Sequence, residues 1–337
     1  MDQDAQEPIQ ERSLAGDTPT EGSMAIWGAA QTATYLSEGV RRSGLRVDAL
    51  GAVDDPTGRL IDADFDGERY DDPRGGPQGR EVQYLVAADV HLDPGPHLKA
   101  GRVLGTLEPL PRVLDSATQP AQLGEFTRSC GFKAAEQILE SFGPIASIQV
   151  VSHCGRGQGT LHARLHDAMR MLERLCGALE MVDAMLVGPQ AGQSREPVNA
   201  HIEAIPESGR DLTGHLGILV RHEPRAVGMI SVSDQTCWER SIRLLGVGGT
   251  IEIDEAGVSW TDPSGRSIET RPPLEDPFAH ACAQLGEELR DLFASPRRLP
   301  TSEPTIRTQA ACEAVRLSCR TRGPEWVGKA RELIERM

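Results

Sequence analysis

Two histidines four residues apart, His162 and His166, stand near the start of a stretch in which Leu161, Leu165, Met169, Leu172, Leu175 and Leu179 recur every three or four positions. That period predicts an amphipathic helix, entered through the glycine turn at Gly157 and Gly159. Both imidazoles then lie on one helical face near the N-terminal end, where a helix can present side chains to a ligand. An i, i+4 histidine pair can chelate a divalent metal, and His153 and Cys154 are near in sequence. Position 163 is Ala, however, so the glutamate of a zinc-peptidase helix is missing, and no third ligand stands out. Hydrogen-bonded cleft histidines are the better reading, and no metal is expected. No G-x-S-x-G elbow is present for a nucleophilic hydrolase.

A second chemical feature lies near the start of the chain. The apolar run Met24-Ala25-Ile26-Trp27 ends at Gly28-Ala29-Ala30-Gln31-Thr32-Ala33, and a helical pattern through Tyr35, Leu36 and Val40 follows. Strand, small-residue turn and helix form the context of a dinucleotide loop. In G-x-G-x-x-G the first glycine makes the turn, the second admits the diphosphate and the third allows helix-strand packing. Gly28 keeps the first role, Ala33 is an accepted substitute for the third, and Ala30 puts a methyl group at the second. The same residues also suit a plain turn. Another apolar run, Val47 to Val53, ends at Asp54, where such folds hold the ribose hydroxyls, although Asp54-Asp55-Pro56 is equally an ordinary turn sequence. Candidate cofactor contacts are therefore Gly28, Ala30, Gln31, Thr32 and Asp54.

Composition sets the frame. The chain has 337 residues, 39% hydrophobic and 25% charged, enough for two domains with ordinary cores. A formal charge of -15 argues against nucleic-acid or anionic-membrane binding, since Lys and Arg are dispersed among more numerous acids. No apolar run is long enough to span a bilayer and the N-terminus lacks a signal-peptide pattern, so a cytoplasmic location is expected. The seven cysteines are scattered without a C-x-x-C pair, which suits reduced, mostly buried thiols.

These features have to be positioned by a series of elements. Residues 1–23 read as a disordered acidic tail. From Pro56 to Gly79 too few residues keep a helical period to supply two crossover helices, and the prolines and glycines after Pro73 break the pattern. A strand at 82–88 precedes Pro94-Gly95-Pro96, which leaves only a short turn at 97–100 before the strand at Val103. A helix through Ala134 to Leu139 stops at Gly143, and a strand runs from Ile145 to Val151. Met185 to Val187 is a short strand and 188–210 a polar loop. Strands at 212–220 and 226–232, then hairpins through 250–253, 258–260 and 267–269, predict a largely antiparallel sheet, and helices follow around 278–293 and 308–320.

In that order the chain resembles the glucose-fructose oxidoreductase and inositol dehydrogenase (Gfo/Idh/MocA) superfamily from about Ala25 to Arg322. The resemblance rests on four stretches. The stretch from Gly157 to Gly177 matches the family's glycine pair followed by D-x-G-x-H-x-x-D, with His166 on the histidine, His162 on the first aspartate, Arg164 on the glycine and Met169 on the second aspartate. Gly101 to Leu110 matches the strand ending in E-K-P: Glu108 falls on the lysine in an ungapped alignment, or on the glutamate with the lysine missing. SIRLLGVGGTIEI carries the family's G-x-G-G before a hairpin, and ACEAVRLSCRT its closing helix.

The resemblance implies an α/β fold made of a shortened Rossmann-like domain over 24–120 and an α+β domain with a largely antiparallel sheet over 121–322, followed by a tail or helix at 323–337. It implies an NAD(P)-dependent oxidoreductase acting on a sugar or polyol, with His166, His162 and Glu108 as catalytic candidates and Glu108 also near the cofactor. A homo-oligomer through the C-terminal sheet is a further expectation. The absent lysine and Ala30 point to weak NAD(P) binding and weak or absent turnover, since a carboxylate would oppose charge developing on an alcohol oxygen. The rival is a non-catalytic pseudoenzyme that binds a nucleotide, a sugar or a protein partner.

Overall fold

A computed structural model describes residues 24–62, 65–72, 83–110, 120–188, 209–223, 226–294 and 303–336. The expected acidic tail, most of the polar loop at 188–210 and the Pro/Gly-rich half of 56–79 lie outside the described residues.

The first sheet begins with β1 (Met24–Gly28), β2 (Ala49–Ala52), β3 (Glu68–Arg69), β4 (Tyr84–Ala87), β5 (Val103–Thr106) and β6 (Ala121–Gln122). All pairings are parallel, in the order β3-β2-β1-β4-β5-β6. This is the strand order of doubly wound dinucleotide-binding sheets, which reverses direction at β1/β4. Crossovers are supplied by α1 (Ala33–Ser43), α2 (Asp55–Asp62) and the five-residue α3 (Gly95–Lys99). The sequence reading found too few residues of helical period after Pro56 for two crossover helices, and α2 is the one that the described residues of that stretch form. Its first turn is held locally, because the Asp54 carboxylate accepts from the Thr57 N–H at 2.8 Å, a cap that outweighs the weak apolar period.

The second sheet is larger and follows α4 (Cys130–Phe142). It contains β7 (Ile145–His153), β8 (Leu179–Val187), β9 (His215–His222), β10 (Val227–Ser233), β11 (Glu239–Gly246), β12 (Gly249–Ile253), β13 (Val258–Thr261), β14 (Ser267–Glu269) and β15 (Glu325–Trp326), with α5 (Leu161–Cys176) between β7 and β8. Its order is β14-β13-β12-β11-β7-β10-β9-β8-β15, antiparallel except for the parallel β7/β10 pair. Strand β8 is nine residues long, not three, because α5 stops at the Gly177 C-cap and Leu179 therefore starts the strand. Strand β11 escaped the sequence reading; paired on both edges, it alternates buried Arg240, Ile242 and Leu244 with more exposed neighbours.

One face of this sheet carries α4, α5 and α7 (Glu303–Thr321), and α8 (Val327–Arg336) closes its edge. Ile148, Val150, Ile218, Val232 and Leu244 point inward against Leu165, Met169 and Leu172 of α5 and Ala311 and Val315 of α7. The opposite face leaves Met185, Leu219, Val227 and Met229 more than half exposed.

Helix α6 (Pro277–Ala294) crosses back to the first domain. Its Ala281, Leu285, Leu289 and Phe293 share a core with Ile26, Leu36, Val40 and Tyr84. The helices meet closely because a Cβ on Gly39 would stand 2.2 Å from the Leu285 Cδ2, and one on Gly286 would stand 3.0 Å from the backbone of Arg42. A helix from late in the chain thus covers a first-sheet face served by few crossover helices.

Candidate functional site

The site is assembled where α5 meets the first sheet. Thr160 is the N-cap of α5, its hydroxyl accepting from the Ala163 N–H at 3.0 Å. The same hydroxyl donates to the Glu108 Oε2 at 2.6 Å, so the end of β5 and the start of α5 share one hydrogen-bonded group. Glu108 is fully buried and its Oε1 has no partner. Burial pushes its carboxyl up to about 8, against the Thr160 hydrogen bond and the positive charge of Arg164. At neutral pH the side chain therefore holds its proton and presents a neutral carboxyl where the sequence alone suggested a carboxylate.

His162 hydrogen-bonds the Pro109 backbone, while its Nδ1 is buried without a partner. Burial and the nearby Arg210 hold it down to about 4. His166 lies one turn on, 5% exposed, and burial, with smaller contributions from His162 and Arg170, holds it down to about 3. Both rings are neutral near neutral pH. The single 3-10 turn Gly209–Asp211 lies beside this face, with Arg210 Nη1 donating to the Val90 carbonyl at 3.4 Å and the Asp211 carboxylate 3.2 Å from His91 Nε2. The structure thus brings Glu108, His162 and His166 into one region between the domains. His153 and Cys154 go elsewhere: His153 is hydrogen-bonded to Ser231 Oγ at 2.8 Å on the sheet, and Cys154 is buried. Among the described residues no group of three or more His, Cys, Asp or Glu side chains converges as a metal site.

The other side of α5 holds residues that the sequence reading did not single out. Arg240 is 1% exposed and forks onto Glu255 at 2.5 and 3.1 Å, with further bonds to the Gly124 carbonyl at 2.6 Å and Asp167 at 3.2 Å. Burial opposes its charge, but Glu255 and Asp167 more than offset that and hold the guanidinium protonated. Its guanidinium and that of Arg164 lie 4.9 and 4.8 Å from the Trp238 ring, which packs 5.0 Å from Tyr35 of α1. No short motif announces this network. Thr160 was within reach, as a threonine immediately before the apolar period of α5.

At the dinucleotide loop a Cβ on Gly28 would stand 2.1 Å from Ile61 Cδ1, which explains the glycine. Ala30 and Gln31 are exposed. Thr32 is buried, and its hydroxyl donates to the Ala88 carbonyl at 2.9 Å, tying the loop to β4. Asp54 is exposed and spends one oxygen on the α2 cap. Beside it a hollow of about 250 Å³ is lined by Ala52, Asp54, Gly58, Ile61, Arg69 and Asp71 at the C-terminal ends of β2 and β3. Open α/β sheets bind ligands at that end.

The second domain touches this loop directly. Gly159 N–H donates to the Gln31 carbonyl at 2.8 Å, and Tyr35 N–H, in the first turn of α1, donates to the Gly157 carbonyl at 2.9 Å.

No protein-family model matches the chain, and no curated protein does. Solved structures do match over nearly the full length. An oxidoreductase from Agrobacterium radiobacter, in complex with NAD+, L-tartaric acid and magnesium, superposes with a TM-score of 0.65 at 15% identity, covering 92% of this chain and 99% of the other. Myo-inositol 2-dehydrogenase from Lactobacillus plantarum gives 0.65 at 11% identity, covering 90% and 99%. Levoglucosan dehydrogenase, in complex with NADH and L-sorbose, gives 0.63 at 14% identity, covering 91% and 98%. The chain has the fold of the Gfo/Idh/MocA oxidoreductases, with a parallel Rossmann-like sheet and a second, mostly antiparallel one.

Proposed function

We propose that this protein is an NAD(P)-dependent oxidoreductase of the sugar and polyol type with weak cofactor binding and slow turnover. The observation that carries this reading is the convergence of the Glu108 end of β5 and the His162/His166 face of α5 beside a first sheet with the dinucleotide-binding order. The sugar and nicotinamide ligands of the superposed dehydrogenases support it by fold.

Gly28, Ala30, Gln31 and Thr32 would hold the diphosphate, and Asp54 the adenosine ribose, favouring NAD over NADP because a carboxylate repels a 2′-phosphate. The nicotinamide, when bound, supplies a hydride acceptor. The chain's own residues supply little charge to assist it. Neutral His162 keeps a buried, unpartnered Nδ1, His166 stays neutral, and Glu108 keeps a proton at the place of the family's lysine or beside it, the lysine itself being absent. Losing one such electrostatic contact typically costs on the order of a hundredfold in rate. The second reading, a pseudoenzyme that binds without turnover, is favoured by the same buried, protonated Glu108. A homo-oligomer through the exposed face carrying Leu219 and Met229 belongs to this reading, as does a cytoplasmic location; among the described residues no helix is long and apolar enough to cross a membrane.

The test is titration of the purified protein with NADH and NADPH by fluorescence or calorimetry, followed by turnover assays on polyols and sugar acids. Weak binding that favours NADH and tightens in Ala30→Gly is the expected result. Submicromolar binding of either nucleotide, or equal affinity for both, contradicts it.

A further inference from the structure

The open face of the second sheet, on the side away from α5, carries another set of groups that could do chemistry. Three neighbouring strands bring it together. Glu239 of β11 stands directly opposite His153 of β7, and Ser231 of the parallel β10 lies two residues before Ser233, the position paired with His153. His153 Nε2 is 2.8 Å from Ser231 Oγ, and its Nδ1 is 3.9 Å from Glu239 Oε2. The Glu239 charge favours the tautomer with its proton on Nδ1, which leaves the Nε2 lone pair to accept from the Ser231 hydroxyl.

The His153 side chain is 18% exposed. Burial holds it below the ordinary histidine value, Glu239 opposing that and His215 of β9 adding to it, so the ring is a neutral base at neutral pH. Ser231 is exposed. Its register partner on the other side is Gly217 of β9, where a Cβ would meet nothing within 4 Å, so the gap beside the hydroxyl admits a small acyl group. Serine, histidine and acid in this order are a nucleophile, its base and the group that orients the base, a set recognised by geometry and not by an elbow motif. Strands β7 and β10 are paired on both edges, so their backbone N–H groups are spent in ladders and do not form an oxyanion hole. The electrophile must therefore carry a good leaving group.

We infer that Ser231 is a nucleophile served by His153, with Glu239 as the positioning residue, and that it takes the acyl group of an activated ester of a small carboxylic acid. The Ser231 Oγ bonds to the acyl carbon as the ester C–O bond breaks. Its proton passes to His153 Nε2 and on to the departing alcohol oxygen. Water, giving a proton to the same nitrogen, then attacks the acyl carbon, and the Ser231 oxygen leaves and recovers that proton. The site stands apart from the Glu108 and His162 region and does not depend on the cofactor reading.

The test uses the full chain with the exposed Cys130 and Cys237 capped by N-ethylmaleimide. Phenolate release from p-nitrophenyl acetate, and peptide mass mapping of a fluorophosphonate probe, are compared in the wild type, Ser231→Ala, His153→Gln and Glu239→Gln across pH 5 to 9. The wild type should label at Ser231, Ser231→Ala should lose both signals, and His153→Gln should slow them about a hundredfold. Glu239→Gln should slow them less and move the midpoint of the pH profile downward, because the carboxylate that raises His153 is gone. A merely structural role would leave that midpoint in place, and an unmoved midpoint overturns the role of Glu239. Phenolate release that persists in Ser231→Ala, a probe attached elsewhere, or equal labelling in the wild type and His153→Gln overturns the inference. A wild type that does not label overturns it too, including the case in which a second copy of the chain covers this face.

Discussion

The Thr160 hydroxyl donates to the Glu108 carboxyl at 2.6 Å, so the residue that caps α5 in the second domain also holds the buried acid that ends β5 in the first. One side chain thereby couples the helix that carries both candidate histidines to the strand edge they face.

Glu108 makes stability fall as pH rises. Its folded value of about 8 lies above the ordinary 4.5, so the folded state holds a proton that the unfolded chain has already released. That contribution is complete below about pH 4.5 and is lost as pH rises through about 8. Glu108→Gln, which keeps an acceptor for Thr160, should therefore stabilise the protein by on the order of 2 kcal/mol at pH 8 to 9 and by little near pH 4. Urea midpoints across that range check it; an equal effect at both ends would contradict the buried neutral acid.

The histidines act in the opposite sense. His162 and His166 sit at about 4 and about 3 when folded, below the ordinary 6.5, so they favour the folded state above pH 6.5 and that advantage is lost as pH falls toward 3. In a histidine ring NMR titration neither should change protonation between pH 5 and 8. A transition near 6.5 for His166 would mean that its ring is hydrated, and would make it a better-matched acid-base group.

Arg240→Met should be strongly destabilising. It leaves Glu255, 1% exposed at its side chain, and Asp167, 4% exposed, facing each other without their shared cation. Breaking one partner of a buried charge network typically costs about 3 to 5 kcal/mol. Chemical denaturation measures this. A loss under about 1 kcal/mol would show that the carboxylates find protons or other donors.

Gly157→Ala tests the contact between the domains. The substitution places a methyl group against Thr34 at a φ of 75°, and should cost about 1 to 3 kcal/mol while loosening the turn from α1. Hydrogen exchange at the Tyr35 amide should quicken. Unchanged protection there would mean that the Tyr35-to-Gly157 bond does not hold the turn in place.

The sequence by itself determined the local structure around the site. The period from Leu161 to Leu172 placed His162 and His166 on one face of α5, and the small residues after Trp27 marked the loop between β1 and α1. Those features depend on neighbours within a few positions, so their spacing is legible. Alternation likewise exposed β9 and β10, whereas the short β3 and β6 carried too few residues to show a pattern. What only the tertiary structure decided is charge and partnership. Glu108 read as a carboxylate until burial held it as a protonated acid against the Thr160 hydrogen bond, and nothing in the sequence marked Arg240, which Glu255, Asp167 and Gly124 enclose. The same holds for α6, whose apolar period says that one face is buried but not against which sheet. Desolvation and long-range pairing depend on residues tens to hundreds of positions away, and one sequence does not say which of them will arrive.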